Sequence, residues 1–178
     1  MNKLKTTQNV FASLLTGAIS TIASSAIAQE VLKWGHVYES ATPYHQAALM
    51  AATKFEAATN GRYKIEVFPA SQLGKEVALN EGLSLGTVDI IYTGVAFMGQ
   101  SYPPIAISDF PFTMRDFDHW AAYSESDLFS ELAQAYTGIT GNHVVNLTYY
   151  GARHVTANKP ILTPADMVDL KIRTPNAP

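Results

Sequence analysis

From Val31 onward, apolar and polar positions alternate between two periods, and the order of those periods outlines a fold. Leu32-Lys-Trp-Gly-His36 reads as a first strand. Thr42 then stands before Pro43, a capping residue followed by a proline at the first helical position. Ala48, Ala51, Phe55 and Ala58 recur at three- and four-residue spacing, which predicts a helix with one apolar face. Asn60-Gly61 supplies a left-handed end for that helix. Tyr63-Lys-Ile-Glu-Val-Phe68 alternates like a strand and stops at Pro69. A second helix is predicted from Lys75 to Ser84, ended by Gly86. Val88 to Thr93 is a largely apolar run, the mark of a strand buried on both faces.

The opening half therefore reads β-α-β-α-β, the pattern of an α/β sheet with parallel neighbours. Gly94 to Phe112 contains three prolines and predicts an irregular crossing with short strands. Asp116–Tyr123 and Asp127–Tyr136 read as helices, the latter with Leu128, Leu132 and Ala135 on one face and Gly138 behind it. Val144 to Tyr150 is strongly β-prone and predicts a strand. Thr163-Pro-Ala-Asp166 carries the signals of a helix start, and Lys171-Ile-Arg173 predicts a short strand.

The first residues follow a different logic. Lys3 and Lys5 precede an apolar and small-residue run from Val10 to Ile27, and Ala26-Ile27-Ala28 offers a small-residue cleavage site. This is the form of a secretory signal peptide (residues 1–28) with cleavage after Ala28, not of a membrane anchor, since serines, threonines and a glycine interrupt the run. Export leaves a 150-residue chain from Gln29, enough for one core. Twelve basic against fifteen acidic residues argue against a nucleic-acid partner. The chain has no cysteine, so it has no thiol-based metal or redox site.

Candidate chemistry is sparse. Gly82-Leu-Ser84-Leu-Gly86 matches a nucleophile elbow, but the elbow needs strand before and helix after, and here the predicted order is reversed. His36, His45, His119, His143 and His154 show no helical zinc spacing; His36, after a strand, and His154, beside Arg153, stand closest to candidate site positions. Asn146-Leu-Thr148 matches a glycosylation sequon but falls in the predicted Val144–Tyr150 strand, where burial would discount it. Carboxylates such as Glu39, Glu66, Glu76, Glu81 and Asp89 form no catalytic pair. No cofactor or metal is called for. Arg153 and Arg173, twenty positions apart, each follow a strand-like run among small or turn-forming neighbours. Two guanidinium forks so placed suit an organic anion.

These residues resemble a family. The chain is similar to the N-terminal half of TRAP-type (tripartite ATP-independent periplasmic) transporter substrate-binding proteins. The likeness is carried by Leu32-Lys-Trp-Gly-His36, by Gly61 through Ser71-Gln-Leu-Gly74, by Gly86-Thr-Val-Asp-Ile90, by Phe110-Pro-Phe112, by Gly151-Ala-Arg-His-Val-Thr-Ala-Asn-Lys-Pro-Ile161 and by Leu170-Lys-Ile-Arg-Thr-Pro-Asn176. The resemblance implies a periplasmic-binding-protein-like fold of two α/β lobes closing on a ligand. It implies a first lobe at about 29–150 and the start of a second at 151–178, with the rest of the second lobe beyond Pro178. It also implies a periplasmic, non-enzymatic protein that captures a small organic acid and passes it to membrane permease subunits. Arg173 matches the arginine that pairs with the ligand carboxylate, Arg153 a second contributing arginine, Asn176 a polar contact beside the first, and Glu76 a cleft-facing position. His36 is added as a residue at the mouth of the cleft. Gly94 and Val37 depart from the sialic-acid-binding branch, which uses an acidic residue and an amide there, and so point to a smaller carboxylate such as a C4-dicarboxylate, a 2-oxo acid or a sugar acid. Two other readings share parts of this pattern. An exported sensing module would share the fold and the arginines; a hydrolase or lyase would need a nucleophile or acid/base pair that the chain does not display.

Overall fold

A computed structural model describes residues 28–174. The predicted signal peptide up to Ile27, and Asn176, lie outside the described residues. Three parallel strands form the sheet: β1 (Glu30–Gly35), β2 (Tyr63–Phe68) and β3 (Ile90–Ile91), in the order β2-β1-β3. β1 is central, in register from Glu30↔Tyr63 to Gly35↔Phe68 on one side and at Trp34↔Ile90 and Gly35↔Ile91 on the other.

The connections are the helices α1 (Pro43–Ala58) and α2 (Glu76–Leu85). α1 starts where the capping signal stands: Thr42 Oγ1 accepts from His45 N, and Pro43 sits at the first helical position. It ends in left-handed Asn60 and Gly61, with Gly61 N donating to Glu56 O at 2.9 Å. α2 ends at Gly86 with φ +71°, a value glycine adopts without steric cost. Gly82 and Gly86 thus belong to a helix and its cap, and Ser84 Oγ donates back to Asn80 O at 3.2 Å.

The second half is helical: a single turn α3 (Val95–Met98), a 3-10 segment Pro103–Asp109, then α4 (Phe117–Ser124) and α5 (Asp127–Thr140). Asp116 and Ser126 cap α4 and α5, accepting from His119 N at 2.7 Å and Phe129 N at 3.2 Å. Met98, Ile105 and Tyr136 make the core here, with Val95, Tyr102, Leu132 and Val144 packed around them. Around the sheet the buried apolar residues are Trp34, Ala48, Ala52, Leu79 and Val88.

Six expectations are corrected. The apolar face of α1 is His45, Ala48 and Ala52, rotated from the predicted stripe, and Phe55 is 39% exposed. β3 has two residues, both half-buried: Ile90 and Ile91 pair with β1, and outside the strand Asp89 N and Tyr92 N each donate one further bond to β1, at Lys33 O and Gly35 O. The Gly94–Phe112 crossing contains helical turns in place of short strands. Val144–Tyr150 and Lys171–Arg173 are not strands; Val145 is 92% exposed, and the sequon Asn146 is exposed too, so burial gives no ground for discounting it. β-propensity describes fitness for a pleated, partly covered surface, and a segment without a paired neighbour realises none of it. The 3-10 turn Pro164–Met167 does carry the predicted capping box between Thr163 and Asp166.

α2 lies directly against the carboxyl end of β1. A Cβ on Gly35 would stand 2.7 Å from Leu79 Cδ2 and 3.5 Å from Leu73 Cδ1, and Leu79 is 1% exposed with little room to yield. Gly35→Val is expected to destabilise the chain by about 1–3 kcal/mol, the usual cost of overpacking. Urea unfolding measures this, and an unchanged midpoint would contradict the close approach.

Candidate functional site

β1 pairs with β2 on one side and β3 on the other, so the connections leaving the carboxyl ends of the strands diverge there. In open parallel sheets this switch point is where a crevice forms and ligands bind. The residues following β1, β2 and β3 converge on it.

Main-chain hydrogen bonds build its floor. His36 N donates to Phe68 O at 3.1 Å, extending the ladder one residue beyond β1. Ser71 N then donates to His36 O at 3.1 Å and Ala70 N to Tyr38 O at 2.8 Å. Ala70 and Ser71 both adopt positive φ, +51° and +61°. Such a conformation is uncommon for non-glycine residues and persists where surrounding contacts over-determine it. Here those contacts lock the loop after β2 onto the loop after β1.

His36 is 0% exposed, and its Nε2 lies 3.1 Å from His45 Nδ1, so one of the two rings donates to the other. Its own Nδ1 is buried without a hydrogen-bond partner. Burial, then the neighbouring His45, lowers the His36 pKa, while the Tyr38 main chain opposes the shift. Its ring is 5.8 Å from Tyr38 and 6.0 Å from Tyr92. The side chain offers no surface to a ligand in this structure.

Above the histidine pair sits an aromatic layer missed by sequence reasoning. Tyr38 and Tyr44 have ring centroids 4.7 Å apart, Tyr44 stacks on Tyr150 at 5.5 Å, and Tyr38 lies 5.9 Å from Tyr150. Tyr38 and Tyr44 stand just after a strand and at a helix start, but nothing local links them to Tyr150.

Glu76 opens α2 and is half-buried. Burial raises the pKa of its carboxyl, and Arg173, then Arg153, counter that rise. Tyr38 is pushed up to about 12 by burial, then by Tyr150, Glu76 and Tyr44, against the pull of Arg153. The Arg153 guanidinium lies 5.9 Å from the Tyr150 ring centroid. Glu76, Arg153, Arg173 and Tyr38 therefore share one electrostatic neighbourhood. Both arginines are exposed, and neither is within ion-pair distance of Glu76; among the described residues the salt bridge is Lys64–Glu66 at 3.2 Å. No helix among the described residues is long and apolar enough to cross a membrane.

Residues 34–178 match the family described as bacterial extracellular solute-binding protein, family 7. A solved TRAP periplasmic solute-binding protein from Roseobacter denitrificans, with bound L-galactonate, is similar at 30% identity and a TM-score of 0.77, over 84% of this chain and 50% of that one. The sialic acid-binding periplasmic protein SiaP of Vibrio cholerae is 31% identical over 92% of this chain and 51% of its own length. A TRAP periplasmic solute-binding protein from Sulfurospirillum deleyianum, solved with bound succinate, is 26% identical with a TM-score of 0.56, over 62% of this chain and 36% of that one. The chain spans about half the length of the curated relatives it matches.

The buried histidine makes stability pH-dependent in a definite direction. The folded-state pKa of His36 lies below its ordinary value, so the unfolded chain takes up the proton first. The stabilisation is present above about pH 6.5, the ordinary histidine value, and is lost as pH falls through the lowered folded pKa. Urea midpoints should drop between pH 7.5 and 5.5, and less so in His36→Gln. An equal drop in both proteins would exclude His36 as the cause.

Proposed function

The chain belongs to bacterial extracellular solute-binding protein family 7, the binding component of TRAP transporters and a family of binding proteins, not enzymes, and on that premise we propose that it captures a small organic acid through Arg173 and Arg153 for delivery to membrane permease subunits. The observation that carries this reading is that Glu76, which opens α2, lies within the electrostatic reach of two exposed arginines, Arg173 first and then Arg153. Arg173 takes the main carboxylate role and Arg153 supports it. Asn176 adds a polar contact beside Arg173, and Glu76 lines the cleft. His36, buried on His45, acts beneath these residues by holding the Tyr38 loop.

Chemistry favours this assignment. A guanidinium meets a carboxylate through two parallel N–H···O bonds, which is directional as well as strong. The relatives' bound acids, L-galactonate and succinate, each present such a carboxylate. Export to the periplasm, with cleavage after Ala28, suits the same role, and three curated relatives are named as periplasmic. In the full-length protein the second lobe would close over the arginines and exclude water.

Removing one partner of a desolvated charge pair costs ~2–5 kcal/mol, which is roughly thirty- to several thousand-fold in affinity. Arg173→Ala in the full-length protein is expected to lose binding on that scale. Arg173→Lys should lose much of it as well, because an ammonium cannot reproduce the planar fork. Titration calorimetry with the acid found in a thermal-shift screen is the measurement, and near-wild-type affinity in Arg173→Ala would refute the assignment.

A further inference from the structure

We propose that Asn60 is a deamidation site that the fold keeps shut, with the side chain of Gln29 as its latch. The site lies in the turn joining α1 to β2 and is independent of the arginine reading above.

The position is chemically marked. Asn60 stands before Gly61, and no other asparagine in the chain precedes a glycine. A glycine has no side chain to obstruct its own main-chain nitrogen, and its backbone is the freest to turn that nitrogen toward the Asn60 side-chain carbonyl. In the reaction the Gly61 nitrogen gives its proton to solvent and bonds to Cγ of Asn60. The Cγ–Nδ2 bond breaks, and Nδ2 leaves as ammonia. The resulting cyclic imide takes up one water. Opening at Cγ gives aspartate, and opening at the main-chain carbonyl gives isoaspartate, which routes the backbone through the side chain. Solvent reaches the turn freely: Asn60 is exposed, a Cβ on Gly61 would meet nothing within 4 Å, and the surface dips into a recess lined by Ala58, Thr59, Asn60, Gly61 and Arg62.

Hydrogen bonding, not burial, therefore has to restrain the reaction. Gly61 N, the attacking atom, donates to Glu56 O at 2.9 Å, while Asn60 N donates to Ala57 O and Arg62 N to Thr59 O, each at 3.1 Å. Asn60 and Gly61 are both left-handed, with φ +52° and +73°, the conformation of a helix cap. Gln29 closes the turn from the other side, its Nε2 donating to Gly61 O and to Glu56 Oε1, both at 3.0 Å. Gly61 is thus pinned at its nitrogen by α1 and at its oxygen by the residue before β1. Attack on Asn60 requires the peptide between the two residues to leave Glu56 O, which is a local opening of this turn. The imide has no N–H at Gly61, so that bond cannot re-form while it lasts. The next link, Glu30 N to Arg62 O at 2.9 Å, begins the β1–β2 pairing, so the modification would loosen the start of the sheet.

Peptide mass spectrometry of the full-length protein, held at mildly alkaline pH with and without urea, follows ammonia loss at Asn60. Conversion in the folded protein is expected to be about tenfold or more slower than in the urea-unfolded chain. Gln29→Ala should raise the folded-state rate about threefold or more, the scale of a lost hydrogen bond, with the urea midpoint unchanged. Glu56→Ala removes the second partner of the latch and keeps the Glu56 main-chain carbonyl. It should act in the same direction, and it carries the test if Gln29→Ala does not fold. Equal rates in folded and unfolded protein overturn the inference, as does an unfolded chain that converts no faster at Asn60 than at Asn158. A Gln29→Ala rate equal to wild type, or a rise that only follows a lower urea midpoint, removes Gln29 as the latch and overturns it too.

Discussion

The site depends on the main-chain bonds that tie the loop after β2 to the end of β1. His36 N, His36 O and Tyr38 O are each paired with the segment from Phe68 to Ser71. That pairing holds Ala70 and Ser71 in a left-handed conformation such residues seldom adopt. With it in place, Tyr38 has a defined position and Glu76 begins its helix close to the arginines. Backbone groups can do this because each is an obligatory partner: an unpaired buried carbonyl or amide would cost more than the strained loop.

Two layers then divide the work. Beneath, the His36–His45 pair fills the space between β1 and α1, with one hydrogen bond joining two buried rings. Above, the tyrosines, Glu76 and the arginines face outward. The lower layer sets where the upper one stands; the upper one carries the charge and the exposed surface. Exposure rises across the two layers, from 0% at His36 to 58% at Tyr150.

Much of the first half was legible because its signals are local. Thr42-Pro43, Asn60-Gly61 and Gly86 each act through the φ/ψ preferences of one or two residues, and each stands where the structure has a helix boundary. Tyr63–Phe68 alternates and becomes β2. Val144–Tyr150 has stronger β-propensity and becomes no strand, since a ladder needs a second backbone that propensity cannot supply. The α1 face was misread for a related reason: alanines at several spacings leave the helix rotation open, and contact with the sheet chose His45, Ala48 and Ala52.

The candidate site divides along the same line. Arg153, Arg173 and Glu76 were found from residue type, spacing and family likeness, and His36 from its place after a strand. The sequence alone determined the β-α-β-α-β order of the first half, the ends of its helices and which residues carry charge, because each follows from covalent neighbours. Only the tertiary structure decided that His36 is buried against His45, that β3 is two residues long and that Tyr150 stacks on Tyr44. Those outcomes depend on groups distant in the chain competing for the same space and the same hydrogen bonds, a competition settled only when the chain folds.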